Sequence, residues 1–116
     1  MKVRPIEGHE QKDVQMEGAS GVRMRMLIGP EDNAQNFHMR HFEVARGGRT
    51  PHHAHDFEHE ALILTGRGLI KSEQGDRPCK AGDVVFVPPG EKHQFVNTGD
   101  QPLTFLCLIP APTARA

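Results

Sequence analysis

Five of the eight histidines in this 116-residue chain stand at positions 52, 53, 55, 59 and 93. Imidazole is the commonest protein ligand for first-row transition metals, and several converging imidazoles make a borderline-soft site. Calcium and magnesium want oxygen ligands, so an all-imidazole cluster excludes them. On an extended segment, side chains at i and i+2 share a face. His53 and His55 therefore project to one side. If the chain stays roughly extended through Asp56 and Phe57, His59 keeps that parity and Glu58 and Glu60 point the other way. His52 has the opposite parity and is expected on a rim or surface. A single His-x-His pair is equally compatible with a solvated loop, so the elements around it decide its meaning.

Those elements read as β-structure. Twelve Gly and nine Pro punctuate the chain at short intervals. Residues 22–28 alternate apolar and charged, as a half-buried strand does. Further strands are expected at 37–44, 60–65, 68–73, 84–87, 93–97 and 103–109, with turns at Gly29-Pro30, Gly47-Gly48, Gly66-Arg67-Gly68, Gly75-Asp76, Pro88-Pro89-Gly90 and Gly99-Asp100. Many short strands at this spacing predict an all-β sandwich or barrel. With His93 facing inward, period 2 places Phe95 inward as well. In the last strand, Phe105 and Cys107 face in if Thr104 faces out. These three side chains, with Arg40 as a holder for an anion, form a candidate substrate pocket. Simple core packing and a solvated arginine are the bland readings of the same residues. His38 and His41 lie on one strand with opposite parity, so at most one of them faces inside.

Two spaced patterns then stand out. The first is Gly47, five residues, His53-x-His55, three residues, His59, six residues, Gly66. The second is Gly82, five residues, Pro88-x-Gly90, two residues, His93, three residues, Asn97. Together they resemble the two motifs of the cupin superfamily. The first departs at one place: the position commonly held by Glu carries His59, with Glu60 one residue later. The likeness covers about residues 20–110. It implies a cupin-type double-stranded β-helix, a jelly-roll barrel in a single domain, similar to small single-domain cupins with a four-histidine metal site of the manganese type.

The resemblance further implies His53, His55, His59 and His93 as ligands of one divalent transition metal ion, manganese first, with Fe, Cu, Ni, Co or Zn as other candidates. Four neutral imidazoles leave the ion's +2 charge uncompensated, so such a site attracts anions. A six-coordinate ion keeps two positions open, whereas tetrahedral zinc is closed by four histidines. Glu58 or Glu60 is a candidate hydrogen-bond partner for a ligand's second ring nitrogen. The activity implied is oxidoreductase chemistry of a dioxygenase-like kind, in which dioxygen or peroxide oxidises a small organic substrate. A non-catalytic small-ligand-binding cupin and a metal-dependent isomerase or lyase, with Glu58 or Glu60 as base, are the alternatives. The family likeness also implies a homodimer.

Composition bounds the rest. Apolar residues make up 36% and charged residues 25%, with net charge −1. These are globular values, and with no basic block nucleic acid is not an expected partner. No run is long and apolar enough for a transmembrane helix, so no membrane partner is expected. The opening MKVRPIEGHE lacks an apolar signal core, and the two cysteines, Cys79 and Cys107, form no CxxC, so a reducing, cytoplasmic setting is expected. Domain organisation reads as an N-terminal arm over 1–19 that could add a strand to a dimer partner, a barrel over 20–110, and a frayed tail over 111–116.

Overall fold

The computed structural model describes residues 1–112. Nine strands follow in order: β1 Gln11–Asp13, β2 Ser20–Ile28, β3 Phe37–Arg49, β4 His59–Thr65, β5 Arg67–Ser72, β6 Arg77–Lys80, β7 Val84–Val87, β8 His93–Asn97 and β9 Leu103–Pro110. Short 3-10 turns occupy Ile6–Gly8 and Pro30–Asp32. Pairing runs β6-β5-β8-β3-β9-β4-β7, with β2 on β3 and β1 on β2. Every pairing between named strands is antiparallel. The sheet curls so that one face encloses the core, the all-β barrel expected from the sequence.

Period-2 alternation is the cause. β4 buries His59, Ala61 and Ile63 while Glu60 and Leu62 are exposed. β9 buries Leu103, Phe105 and Cys107. The core gathers Val22, Val44, Ile63, Ile70, Phe95 and Leu103 with the two cysteines. Phe95 and Phe105 stack at 4.4 Å, and Phe42 lies 5.3 Å from Phe105. Offset aromatic stacking of this kind adds roughly 0.5–1.5 kcal/mol per pair beyond area burial.

Glycine is required at the turn between β4 and β5. Gly66 has φ +82°, and a Cβ there would sit 2.5 Å from the Pro102 carbonyl oxygen. That conformation and that approach both exclude other side chains.

Several sequence expectations are corrected. Gly47-Gly48 is no turn: β3 runs through it to Arg49, and a register shift against β2 absorbs the irregularity. Arg77–Lys80, not among the expected strands, is an edge strand, the place where a sheet tolerates Pro78. Independently of any partner, β1 pairs β2 of its own chain, and Val14 and Ala19 pack on the core. His9, expected on a solvated arm, is 8% exposed, and its Nδ1 lies 2.9 Å from the Pro5 carbonyl oxygen. At the other end Ala111 is buried and donates its N–H to Asn36 O at 3.0 Å. The expected fraying of 113–116 lies outside the described residues.

Candidate metal centre

Two local devices bring the histidines together. His53 and His93 form an isolated antiparallel bridge, the N–H of each donating to the other's carbonyl at 3.2 and 3.0 Å. At the Pro88-Pro89-Gly90 turn, Gly90 takes φ +81° and donates its N–H to His55 O at 2.6 Å. The irregular segment before β4 is thus pinned to β8 at His53 and to the turn preceding β8 at His55. His59 enters at the first residue of β4, and His93 at the first residue of β8.

The four rings meet in one cavity of about 220 Å³. Centroid separations are 4.3 Å for His53–His55, 5.4 Å for His53–His93, 4.8 Å for His55–His59 and 5.0 Å for His59–His93. His59 and His93 are 7% and 5% exposed. Among the described residues, no three His, Cys, Asp or Glu side chains stand with donor atoms already set about one ion position. The chemistry of the donor set nevertheless fits a divalent transition ion. His53 Nε2 and His55 Nε2 are 3.2 Å apart, and two nitrogens about 2.1 Å from one ion stand about 3.0 Å apart at a right angle. His59 Nε2 is buried without a hydrogen-bond partner. The His93 Nδ1 lies 3.0 Å from the Glu91 carbonyl, which can only accept, so Nε2 is left as the lone-pair nitrogen.

Burial favours the neutral form of two of these rings, His53 and His59. Desolvation, then repulsion from His55 and His93, lowers the His53 pKa to about 4. Desolvation first, then His93 and Arg40, lowers His59 to about 3. A neutral imidazole is the form that binds metal.

The remaining wall is aromatic and cationic. Phe42, Phe95, Phe105, Cys107 and Arg40 all line the cavity, with Thr50 and Met24. Arg40 carries its guanidinium 4.9 Å from the Phe42 ring centre, donates from Nη2 to Cys107 Sγ at 3.2 Å, and has its Nε buried without a partner. Period 2 had put Phe95, Phe105 and Cys107 on the inner face. Phe42, Thr50 and the Met24 side of β2 were missed as cavity residues, although the parity shared by Arg40 and Phe42 could have found the first.

Other candidates lie elsewhere. Glu58 and Glu60 are exposed and line an outer groove with Phe37 and Leu108. They are corrected as partners or bases for this site: His59 spends Nδ1 on Cys107 Sγ at 3.3 Å, and β4 alternation turns Glu60 to the opposite face. His52 is exposed and His41 half-buried, while His38, near the start of β3, is buried. Asn97 closes the end of β8, donating from Nδ2 to Val44 O and Gln101 O.

Known proteins resemble this chain in sequence and fold. The sequence profile of the Cupin domain family, Cupin_2, matches residues 40–109. An oxalate-binding protein of Thermotoga maritima is 36% identical over 94% of this chain and 93% of its own length. The structure of a polyketide cyclase from Streptomyces resistomycificus superposes with a TM-score of 0.89 at 34% identity, covering 95% of this chain and 79% of that one. A predicted oxalate decarboxylase from Thermotoga maritima superposes at 0.85 with 29% identity, over 95% of this chain and 99% of the other. Motif spacing, strand order and these likenesses agree: the chain belongs to the cupin family.

Proposed function

We propose that this cupin holds one divalent transition metal ion, manganese first, on His53, His55, His59 and His93, and oxidises a small organic anion there with dioxygen or peroxide. The observation that carries this reading is the sharing of one cavity by four imidazoles, an unpaired Arg40 N–H and an aromatic wall. When bound, the ion supplies Lewis acidity and one-electron redox chemistry. The protein's part is binding and orientation. Arg40 offers its buried Nε–H to a carboxylate or enolate oxygen, and that charge-assisted contact fixes which end of the ligand meets the histidines. Phe42, Phe95 and Phe105 accept an apolar or aromatic body and keep water out. About 220 Å³ falls below the ~300–1,000 Å³ of drug-sized sites, so the ligand is small.

A second reading, binding without turnover, is favoured by the near full-length likeness to the oxalate-binding protein. Metal analysis of tag-free protein and of His59→Ala comes first, followed by oxygen and peroxide consumption with small carboxylates. One equivalent of manganese or iron, lost in His59→Ala, together with substrate-dependent oxidant consumption supports the oxidase reading. Tight ligand binding with the ligand recovered unchanged selects the second. No metal after reloading overturns the oxidase reading and leaves only binding without turnover.

The expected homodimer fits the apolar residues that β7 and its surroundings expose, Val84 at 80%, Phe86 at 57% and Phe37 at 73%. A monomer in light scattering at micromolar concentration contradicts it.

A further inference from the structure

Cys107 is 5% exposed, and its sulfur stands between two groups of the site: His59 Nδ1 at 3.3 Å and Arg40 Nη2 at 3.2 Å. The register makes this contact. Cys107 is directly opposite Arg40 on β3 and opposite Ala61 on β4, two residues along the same face from His59. Diagonal cross-strand neighbours of that kind are within reach of aromatic and long side chains.

A guanidinium can only donate, so the sulfur accepts from Arg40. Toward His59 two arrangements exist. If S–H donates to a bare Nδ1, the ring proton sits on Nε2, and a buried donor is stranded in the cavity without a partner. If Nδ1–H donates to sulfur, the Nε2 lone pair faces the cavity instead. His93 is already in that second state, its Nδ1–H committed to the Glu91 carbonyl.

We propose that Cys107 is the positioning residue of this site: its sulfur accepts from His59 Nδ1–H, fixing the tautomer that presents Nε2, and from Arg40, fixing the guanidinium that receives the anion. The inference rests on the four-histidine reading. One sulfur serving both groups couples them, so loss of Cys107 weakens metal and anion binding together. A purely space-filling cysteine predicts neither effect.

The test uses full-length, tag-free protein. Two-bond 1H–15N spectra of the metal-free protein read the His59 tautomer, with the resonance assigned by its loss in His59→Gln. Nδ1–H is expected in wild type and in Cys107→Ser, whose hydroxyl accepts in the same place, and a shift toward Nε2–H in Cys107→Ala. Chelator competition should then show manganese binding about 10–100-fold weaker in Cys107→Ala, the range for loss of an outer partner of a ligand, and largely restored in Cys107→Ser. An Nε2–H tautomer in wild type overturns the proposal without any variant. So does Cys107→Ala with unchanged tautomer and unchanged manganese affinity, while His59→Ala still loses the metal; the four-histidine reading then survives alone. Nδ1–H in a wild type that binds no manganese, shifting toward Nε2–H in Cys107→Ala, supports the positioning role and removes the metal reading.

Discussion

The histidine cavity, at about 220 Å³, is less than half the size of a second one of about 510 Å³. The larger lies along the seam where the curled sheet does not close, between β6 and β7, its two edge strands. Its lining mixes Ile70, Val85 and Phe86 with Ser72, Arg77 and Glu91. His93 is the one residue that lines both. The seam gathers one imidazole; the smaller cavity gathers four, with a half-buried arginine and stacked aromatics. Size follows from where strand pairing ends, whereas chemistry follows from where side-chain parity and strand register make unlike donors converge.

Substitutions sharpen that contrast. The largest effect is expected for His93→Ala, which should reduce bound metal from about one equivalent to background in elemental analysis. Arg77→Ala, in the seam alone, should leave it at the wild-type level. Equal loss in both would erase the distinction. Next comes Phe105→Ala. It removes the ring that stacks on both Phe95 and Phe42, and denaturant unfolding should show a loss of about 3–5 kcal/mol. The exposed Phe86→Ala should stay within about 0.5 kcal/mol. Arg40→Gln should leave metal content intact and weaken a bound carboxylate by about 10–100-fold in calorimetry, since a hydrogen bond to a charged group is worth about 1.5–3 kcal/mol. The smallest expected effect concerns acid. His53 and His59 have folded pKa values lowered to about 4 and about 3 from 6.5. The unfolded chain therefore binds more protons below pH 6.5, and stability of the metal-free protein falls as pH drops from there toward 3. A flat melting temperature across that window would contradict the burial assigned to these rings.

Much of this was legible in the sequence because it depends on period 2 and on fixed spacing. The His53-x-His55 pair, the inward Phe95 and the inward Phe105 and Cys107 need only alternation along one strand. What escaped depends on register between strands. Nothing in the order of residues says that Cys107 lies opposite Arg40 and Ala61, so its contact with His59 could not be read. Gly47-Gly48 has the composition of a turn but lies within β3 as a bulge: Gly47 takes φ +74°, and the pairing with β2 shifts register between Val44 and Arg49 before β3 meets β8 at Arg49. His9 is buried because a short 3-10 turn folds the chain back over it, a tertiary event with no periodic signature. Glu58 and Glu60 were misjudged as partners because adjacency to His59 in sequence is opposition across a strand.

The reciprocal backbone pair between His53 and His93 has a wider consequence. It ties the two ends of a long excursion of chain, β4 through β7, at one point. The exposed Gly75 turn, far along that excursion, can lengthen without changing where the excursion begins or ends, and exposed loop tips are where proteins accept added segments. The barrel therefore separates the upkeep of its site from the length of its outer hairpin, and that hairpin is the place to graft a new recognition element without disturbing the histidines.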